Sequence, residues 1–238
     1  MDAPVGFSTG ALALSDFASA LRWMEEYPLT AVELSALRME ELPVLVRAVP
    51  SLGLGRYRYV SVHAPSRFSA TEEPAVIAQL RTLTARGWPV VLHPDTAHDL
   101  HAWREFGPLL LIENMDKRKP VGRTAAELDV IFESVPDARL CFDIAHARQV
   151  DGTMVEAYRI LTRFGNRIAQ IHISEVSSRS THERISRYAA TAFRYVARLV
   201  PASVPVIIES RVPPAAIGAE IEAARRALEP ISELRRSA

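Results

Sequence analysis

Residues 109–146 read LLLIENMDKRKPVGRTAAELDVIFESVPDARLCFDIAH, and the fold is decided in this stretch. It opens on an apolar run, Leu109 to Glu113, that ends in a carboxylate. After a polar segment comes Ala125 to Ser134, an amphipathic stretch with Thr124 placed to cap its start and Pro136 just past its end. A second apolar run, Leu140 to Asp143, closes the unit and again ends in a carboxylate. Neither run alternates strictly between apolar and polar residues. Each therefore reads as a strand buried on both faces, the condition of a parallel strand covered by helices.

Outward from this unit the pattern repeats. Val5 to Ser8, Ala31 to Ser35, Tyr59 to His63, Pro89 to His93, Ile168 to Ile173 and Pro205 to Glu209 are further short runs rich in Val, Ile or Leu. They recur at about the 30-residue length of a strand-helix-strand unit. The intervening stretches carry helix signals. Ser15 is expected to cap a helix over 16–26, Thr71 with Glu72 and Glu73 to open one running toward Gly87, and Asp151 to open one closing at Phe164-Gly165. A helix holding His98 and His101 is expected after the fourth run. The last is expected from Pro214 to Leu228, followed by a frayed polar tail at 232–238. Eight such units in 238 residues predict an α/β fold, a single (β/α)8 TIM barrel spanning residues 1–238. An open doubly wound sheet would call for a Gly-rich phosphate loop after an early strand, whereas Gly53-Leu54-Gly55 precedes one.

Composition narrows the function classes. With 48% hydrophobic residues, and 10 Gly and 16 Pro scattered without a period, the chain is neither disordered nor fibrous. No apolar run approaches the roughly 20 residues of a membrane span. Met1 to Gly10 has neither a basic start nor an apolar core, so a cytoplasmic protein without membrane contact is expected. The single Cys141 can form no internal disulfide. Lys and Arg together number 28 against 28 Asp and Glu, a balance that weighs against a dedicated duplex-DNA binder without excluding nucleic acid. A small-molecule substrate is the expected partner, and homo-oligomerisation stays open.

In a (β/α)8 barrel, chemistry gathers where the carboxyl ends of the strands converge. His63, His93, Glu113, Asp143 and Glu209 end five runs, Glu33 lies in the second run, and His172 lies in the seventh. His146 follows Asp143 by three residues and His182 follows His172 by ten. Imidazole and carboxylate are ordinary ligands of Zn, Mn, Co and Fe. Burying this many carboxylates together without a cation would be strongly unfavourable, so one or more divalent ions at a shared mouth are expected. Cys141 has the inward parity of Asp143 but lies deeper, as core packing, and His98 and His101 read as surface residues. Both lysines fall in one loop, Asp116-Lys117-Arg118-Lys119, which with Arg123 offers either an anion clamp over the mouth or a solvated turn.

At Leu-Ile-Glu-Asn (111–114), Phe-Asp-Ile-Ala-His-Ala (142–147), Ile-His-Ile-Ser (171–174) and Ile-Glu-Ser (208–210), the sequence resembles the xylose isomerase-like TIM-barrel superfamily. That group includes sugar isomerases and epimerases and the endonuclease IV type of apurinic-site nuclease. The resemblance covers essentially the whole chain and implies Glu113, Asp143, His172 and Glu209 as shared metal ligands. In the isomerase and epimerase branch it implies Glu113 and Glu209 as the catalytic proton carriers. His146, Arg179, Lys117, Lys119 and Glu33 are then candidate substrate contacts. In the endonuclease IV branch it implies His63 and His93 joining Glu113 at one zinc, with His146 and an Asp-x-His pair at a third. Here Ser180-Thr181-His182 stands in place of Asp-x-His, with Glu175 or Glu183 as candidate substitutes. Multinuclear non-haem iron oxidases form a third branch with a similarly His-rich mouth. The leading expectation is a metal-dependent isomerase or epimerase acting on a small, sugar-like hydroxy-carbonyl substrate that could be phosphorylated. A zinc-dependent phosphodiester hydrolase is the first alternative and an iron oxidase the second.

Overall fold

Eight parallel strands close on themselves in the order β1-β10-β7-β6-β5-β4-β3-β2. They are β1 Val5–Ser8, β2 Ala31–Ser35, β3 Tyr59–His63, β4 Val90–Leu92, β5 Leu110–Glu113, β6 Arg139–Asp143, β7 Ile168–Ile173 and β10 Val206–Ile208. The computed structural model describes residues 3–230, so the tail expected at 232–238 lies outside it. A two-stranded antiparallel ribbon, β8 Glu175–Val176 and β9 His182–Glu183, rises from the end of β7. The barrel expected from the sequence is therefore present, with each of its eight strands inside or within one residue of an apolar run.

Strand alternation divides the apolar residues into two layers. Residues such as Val32, Leu34, Val60, Val62, Val90, Leu92, Ile112, Phe142 and Ile171 face outward and join the main core beneath the helices. The opposite parity points into the barrel, where Val91, Leu111 and Cys141 form a small separate apolar cluster. Above that cluster the inward positions turn polar: Glu113 follows Leu111, Asp143 follows Cys141, and His63 follows Ser61. The register aligns Glu113 with Cys141, Asp143 with His172 and Ser35 with His63. Close approach of the first two strands depends on Gly6, where an added Cβ would lie 1.8 Å from the Ala31 carbonyl oxygen.

Helices α1 Thr9–Ala13, α2 Phe17–Met24, α3 Glu41–Ala48, α4 Glu73–Thr84, α5 Ala125–Ser134, α6 Ile144–Val150, α7 Val155–Phe164, α8 Arg187–Arg194 and α9 Ile217–Ala227 connect the strands. Thr124 caps α5 as expected, accepting from Glu127 N. Elsewhere the local chemistry differs from the expectation. Asp16 caps α2 in place of Ser15, because its carboxylate reaches both Ser19 N and Ser19 Oγ. No α-helix follows β4. Residues 100–109 form 3-10 turns broken at Gly107, whose φ of +52° no continuing helix adopts. Residues 214–216 form a 3-10 turn before α9. Asp151 stands three residues ahead of Met154, the N-cap of α7, and accepts from Thr153 N and Glu156 N.

Candidate metal centre at the carboxyl mouth

Asp143 ends β6 and is also the N-cap of α6, accepting from His146 N at 2.7 Å. One capping interaction thus places a carboxylate and an imidazole on the same rim. Asn114, immediately after Glu113, locks this corner to β5. Its Nδ2 donates to the Asp143 carbonyl and its Oδ1 accepts from Asp143 N, each at 2.8 Å.

Glu113 sits at the centre of the mouth, 1% exposed in its side chain. Its Oε2 faces Nε2 of His63 at 3.3 Å and Nε2 of His93 at 3.1 Å. Its Oε1 faces Nδ1 of His172 at 3.2 Å and Nδ1 of His146 at 3.4 Å. Glu209, just past β10, places Oε2 3.4 Å from His172 Nδ1 and 3.6 Å from His182 Nδ1. The donor atoms fall into three groups, each with every member within 4.8 Å of the others: His63, His93 and Glu113; Asp143, His146 and His182; and Glu113, Asp143, His172 and Glu209. All eight residues named from the sequence as ligands are brought together, and Glu113 and Asp143 each belong to two groups.

The charges are crowded. Burial alone would raise the Glu113 carboxyl, but the His172 and His93 imidazoles outweigh it and hold the group well below the ordinary range. Burial pushes Glu209 up to about 8 and raises Asp143 as well. Burial disfavours a charged His63, yet its hydrogen bond to Glu113 carries the ring up to about 9. Burial and the neighbouring His146 push His182 down to about 3. Imidazoles thus supply part of the positive charge that the carboxylates demand.

This donor set fits a divalent cation. N and O ligands converge in groups of three and four, and Asp143 Oδ2 is buried without a hydrogen-bond partner among the described residues. His63 donates Nδ1–H to the Ala64 carbonyl at 2.7 Å and His146 donates its own to the Asn114 carbonyl at 3.0 Å. With Nδ1–H so engaged, Nε2 is the nitrogen each ring would offer to an ion.

The candidate substrate contacts are placed differently from one another. Glu33 is fully buried beneath His172 and does not reach the open mouth, because β2 turns it into the barrel interior. Lys119 is paired with Asp95 at 2.9 Å, and Arg123 is held by Glu127. Lys117 is exposed. Arg179 is exposed in the β8–β9 turn, where its carbonyl accepts from Arg118. Neither substitute for the missing Asp joins the second group: Glu175 pairs with Arg148 and accepts from Ser186 N, and Glu183 is exposed. Ser180 instead donates to Asp116 at 2.6 Å, tying the ribbon to the loop after β5.

Reading the sequence for ligands missed Asn114, Gln170, Asp116 and Ser174, whose Oγ lies 2.8 Å from His182 Nδ1. Gln170 carried a usable signal, since it has the parity of His172 within an apolar strand. Cys141 is fully buried, as expected for packing, and burial pushes its thiol up. His98 is exposed but donates Nε2–H to the Phe68 carbonyl.

No protein-family model matches the sequence, and no curated protein does. Solved structures do. The IOLI protein with a binding zinc atom is 12% identical, at a TM-score of 0.62 over 94% of this chain and 98% of that one. SacUVDE is 16% identical, with a TM-score of 0.58 over 94% and 96% of the two chains. The 3-keto-D-glucoside 4-epimerase YcjR from E. coli is 14% identical, with a TM-score of 0.57 over 94% and 99%. At these identities the likeness is one of architecture, and a protein described as a xylose isomerase domain protein from Alicyclobacillus acidocaldarius matches over 94% of this chain at a TM-score of 0.59. The chain therefore has the fold of the xylose isomerase-like TIM barrels.

Proposed function

We propose that this chain is a divalent-metal-dependent isomerase or epimerase acting on a small hydroxy-carbonyl substrate, with Glu113, Asp143, His172 and Glu209 holding the ion. The observation that carries this reading is the central donor group. Of its three carboxylates, Glu113 and Asp143 are closed off at 1% and 0% side-chain exposure, while Glu209 retains 11% at the mouth. A bound divalent ion would polarise a substrate carbonyl and so ease removal of the neighbouring proton. Glu209 then has both reach and access to take that proton and return it. Glu113, with both oxygens engaged by imidazoles, serves as a holding residue more than as a second carrier.

Incubating metal-loaded protein with a panel of ketoses in deuterated water tests this. The expected result is deuterium incorporated beside the carbonyl. Glu209→Gln should abolish exchange while three donors still retain metal, and Glu113→Gln should lose the metal itself. No exchange with any panel member counts against the reading.

A metal-dependent phosphoester hydrolase is the second reading, favoured by the two additional donor groups at His63-His93-Glu113 and Asp143-His146-His182. Elemental analysis of protein purified without added metal separates the two. One equivalent of Mn or Co supports the isomerase, and two or three of Zn, with cleavage of a chromogenic phosphodiester, supports the hydrolase.

A further inference from the structure

Beneath the metal centre lies a buried carboxylate that the proposed chemistry does not use. Glu33 points from β2 into the barrel at 0% exposure, and its Oε1 has no hydrogen-bond partner among the described residues. Its Oε2 lies 2.7 Å from Gln170 Nε2, 3.0 Å from His172 Nε2 and 3.4 Å from Ser61 Oγ. Burying a carboxylate in a barrel interior is costly unless donors satisfy it. Here two of the donors, Gln170 and His172, come from alternate positions on one face of β7, and Ser61 comes from β3.

The orientation of each group follows from the next. Tyr59 OH donates to Gln170 Oε1 at 2.7 Å. The reverse amide would set Gln170 Oε1 against Glu33 Oε2, two acceptors in repulsive contact, so Nε2 must face the carboxylate. The tautomer of the imidazole depends on what its other nitrogen binds. Gln170 Nε2 lies 2.7 Å from His172 Nε2, and both nitrogens converge on Oε2. With an ion at Nδ1 the neutral ring carries its proton on Nε2, which then donates to Glu33 Oε2. Nδ1 faces the mouth, 3.2 Å from Glu113 Oε1 and 3.4 Å from Glu209 Oε2.

We infer that Glu33, aligned by Tyr59 through Gln170, is a positioning residue that fixes the tautomer and ring orientation of His172 for metal binding. His63 and His146 are held in the same manner, but by the neutral carbonyls of Ala64 and Asn114. A carboxylate partner additionally raises the basicity of the ring, so the central group receives the most strongly donating imidazole. This places Glu33 behind the ligands and not against the substrate. The inference rests on the reading that the central group holds an ion.

Zinc alone serves as the probe. In zinc-loaded wild-type protein, 15N NMR of the imidazoles should show His172 coordinated through Nδ1, with a slowly exchanging, downfield Nε2–H proton. Glu33→Gln keeps the shape and an acceptor but removes the charge. In competition with a chromophoric chelator it should bind zinc about 10- to 100-fold more weakly, and its Nε2–H resonance should move upfield. An unprotonated Nε2 in the wild type overturns the inference, and this measurement stands even if the variant does not fold. Zinc affinity within twofold of wild type in a folded Glu33→Gln protein overturns it as well. Wild-type protein that binds no zinc, Mn or Co refutes the metal reading itself, a result distinct from either of these.

Discussion

Asn114→Ala is the substitution that most directly asks whether a single buried amide builds the corner of the metal centre. The Asn114 side chain is fully buried and makes two hydrogen bonds of 2.8 Å to the backbone of Asp143. Removing it orphans Asp143 N, at about 1–3 kcal/mol for an unsatisfied buried donor, and forfeits the net contribution of the second bond, about 1 kcal/mol. A loss of about 2–4 kcal/mol follows, equivalent in a chain of this size to a fall in Tm of roughly 5–15 °C. Urea unfolding of chelator-treated protein is the proper assay, because bound metal would add stability of its own. Asp143 also holds His146 through its cap, so zinc affinity should fall with stability. Asn114→Asp sharpens the test. It preserves shape but places an acceptor 2.8 Å from the Asp143 carbonyl oxygen, and should be at least as damaging. Wild-type stability and wild-type zinc affinity in Asn114→Ala would refute the reasoning.

Three other outcomes are expected. Gly6→Ala should prevent barrel closure, read as loss of soluble protein or of cooperative unfolding, because its Cβ would meet backbone only 1.8 Å away. Glu73→Gln should cost about 1–3 kcal/mol in urea unfolding, since the buried Glu73 accepts from His98 N, Asp99 N and Trp103 Nε1 and the amide nitrogen would oppose one of these donors. Hydrogen bonds from Thr153 and Glu156 lower the Asp151 carboxyl below its ordinary 3.8, so its contribution to stability is present above that value and fades as pH falls through the lowered one. The stability gap between wild type and Asp151→Ala should therefore be constant at neutral pH and narrow in acid, as measured by unfolding at a series of pH values.

The strands were legible because burial on both faces writes itself into a run of Val, Ile and Leu. The 3-10 stretch at 100–109 was not, since Leu100, Trp103 and Phe106 imitate helical spacing while Gly107 alone turns the chain aside. The ribbon at 175–183 escaped because two-residue strands leave no periodic trace. At the site, Glu113, Asp143, His63 and His93 showed themselves as polar residues ending apolar runs, and His172 as one inside such a run. Glu33 shares their inward parity but stands two residues short of the end of its run, which puts it one layer deeper in the barrel.

By itself, then, the order of residues determined eight covered strands and the set of groups able to hold a cation, since both follow from local pattern and side-chain chemistry. Only the closed barrel decided which groups share a neighbour. Barrel closure makes Glu113 common to two donor groups, and sets Glu33 within 3.0 Å of His172 although 139 positions separate them. Such distances arise from strand register and closure, which local sequence spacing does not encode.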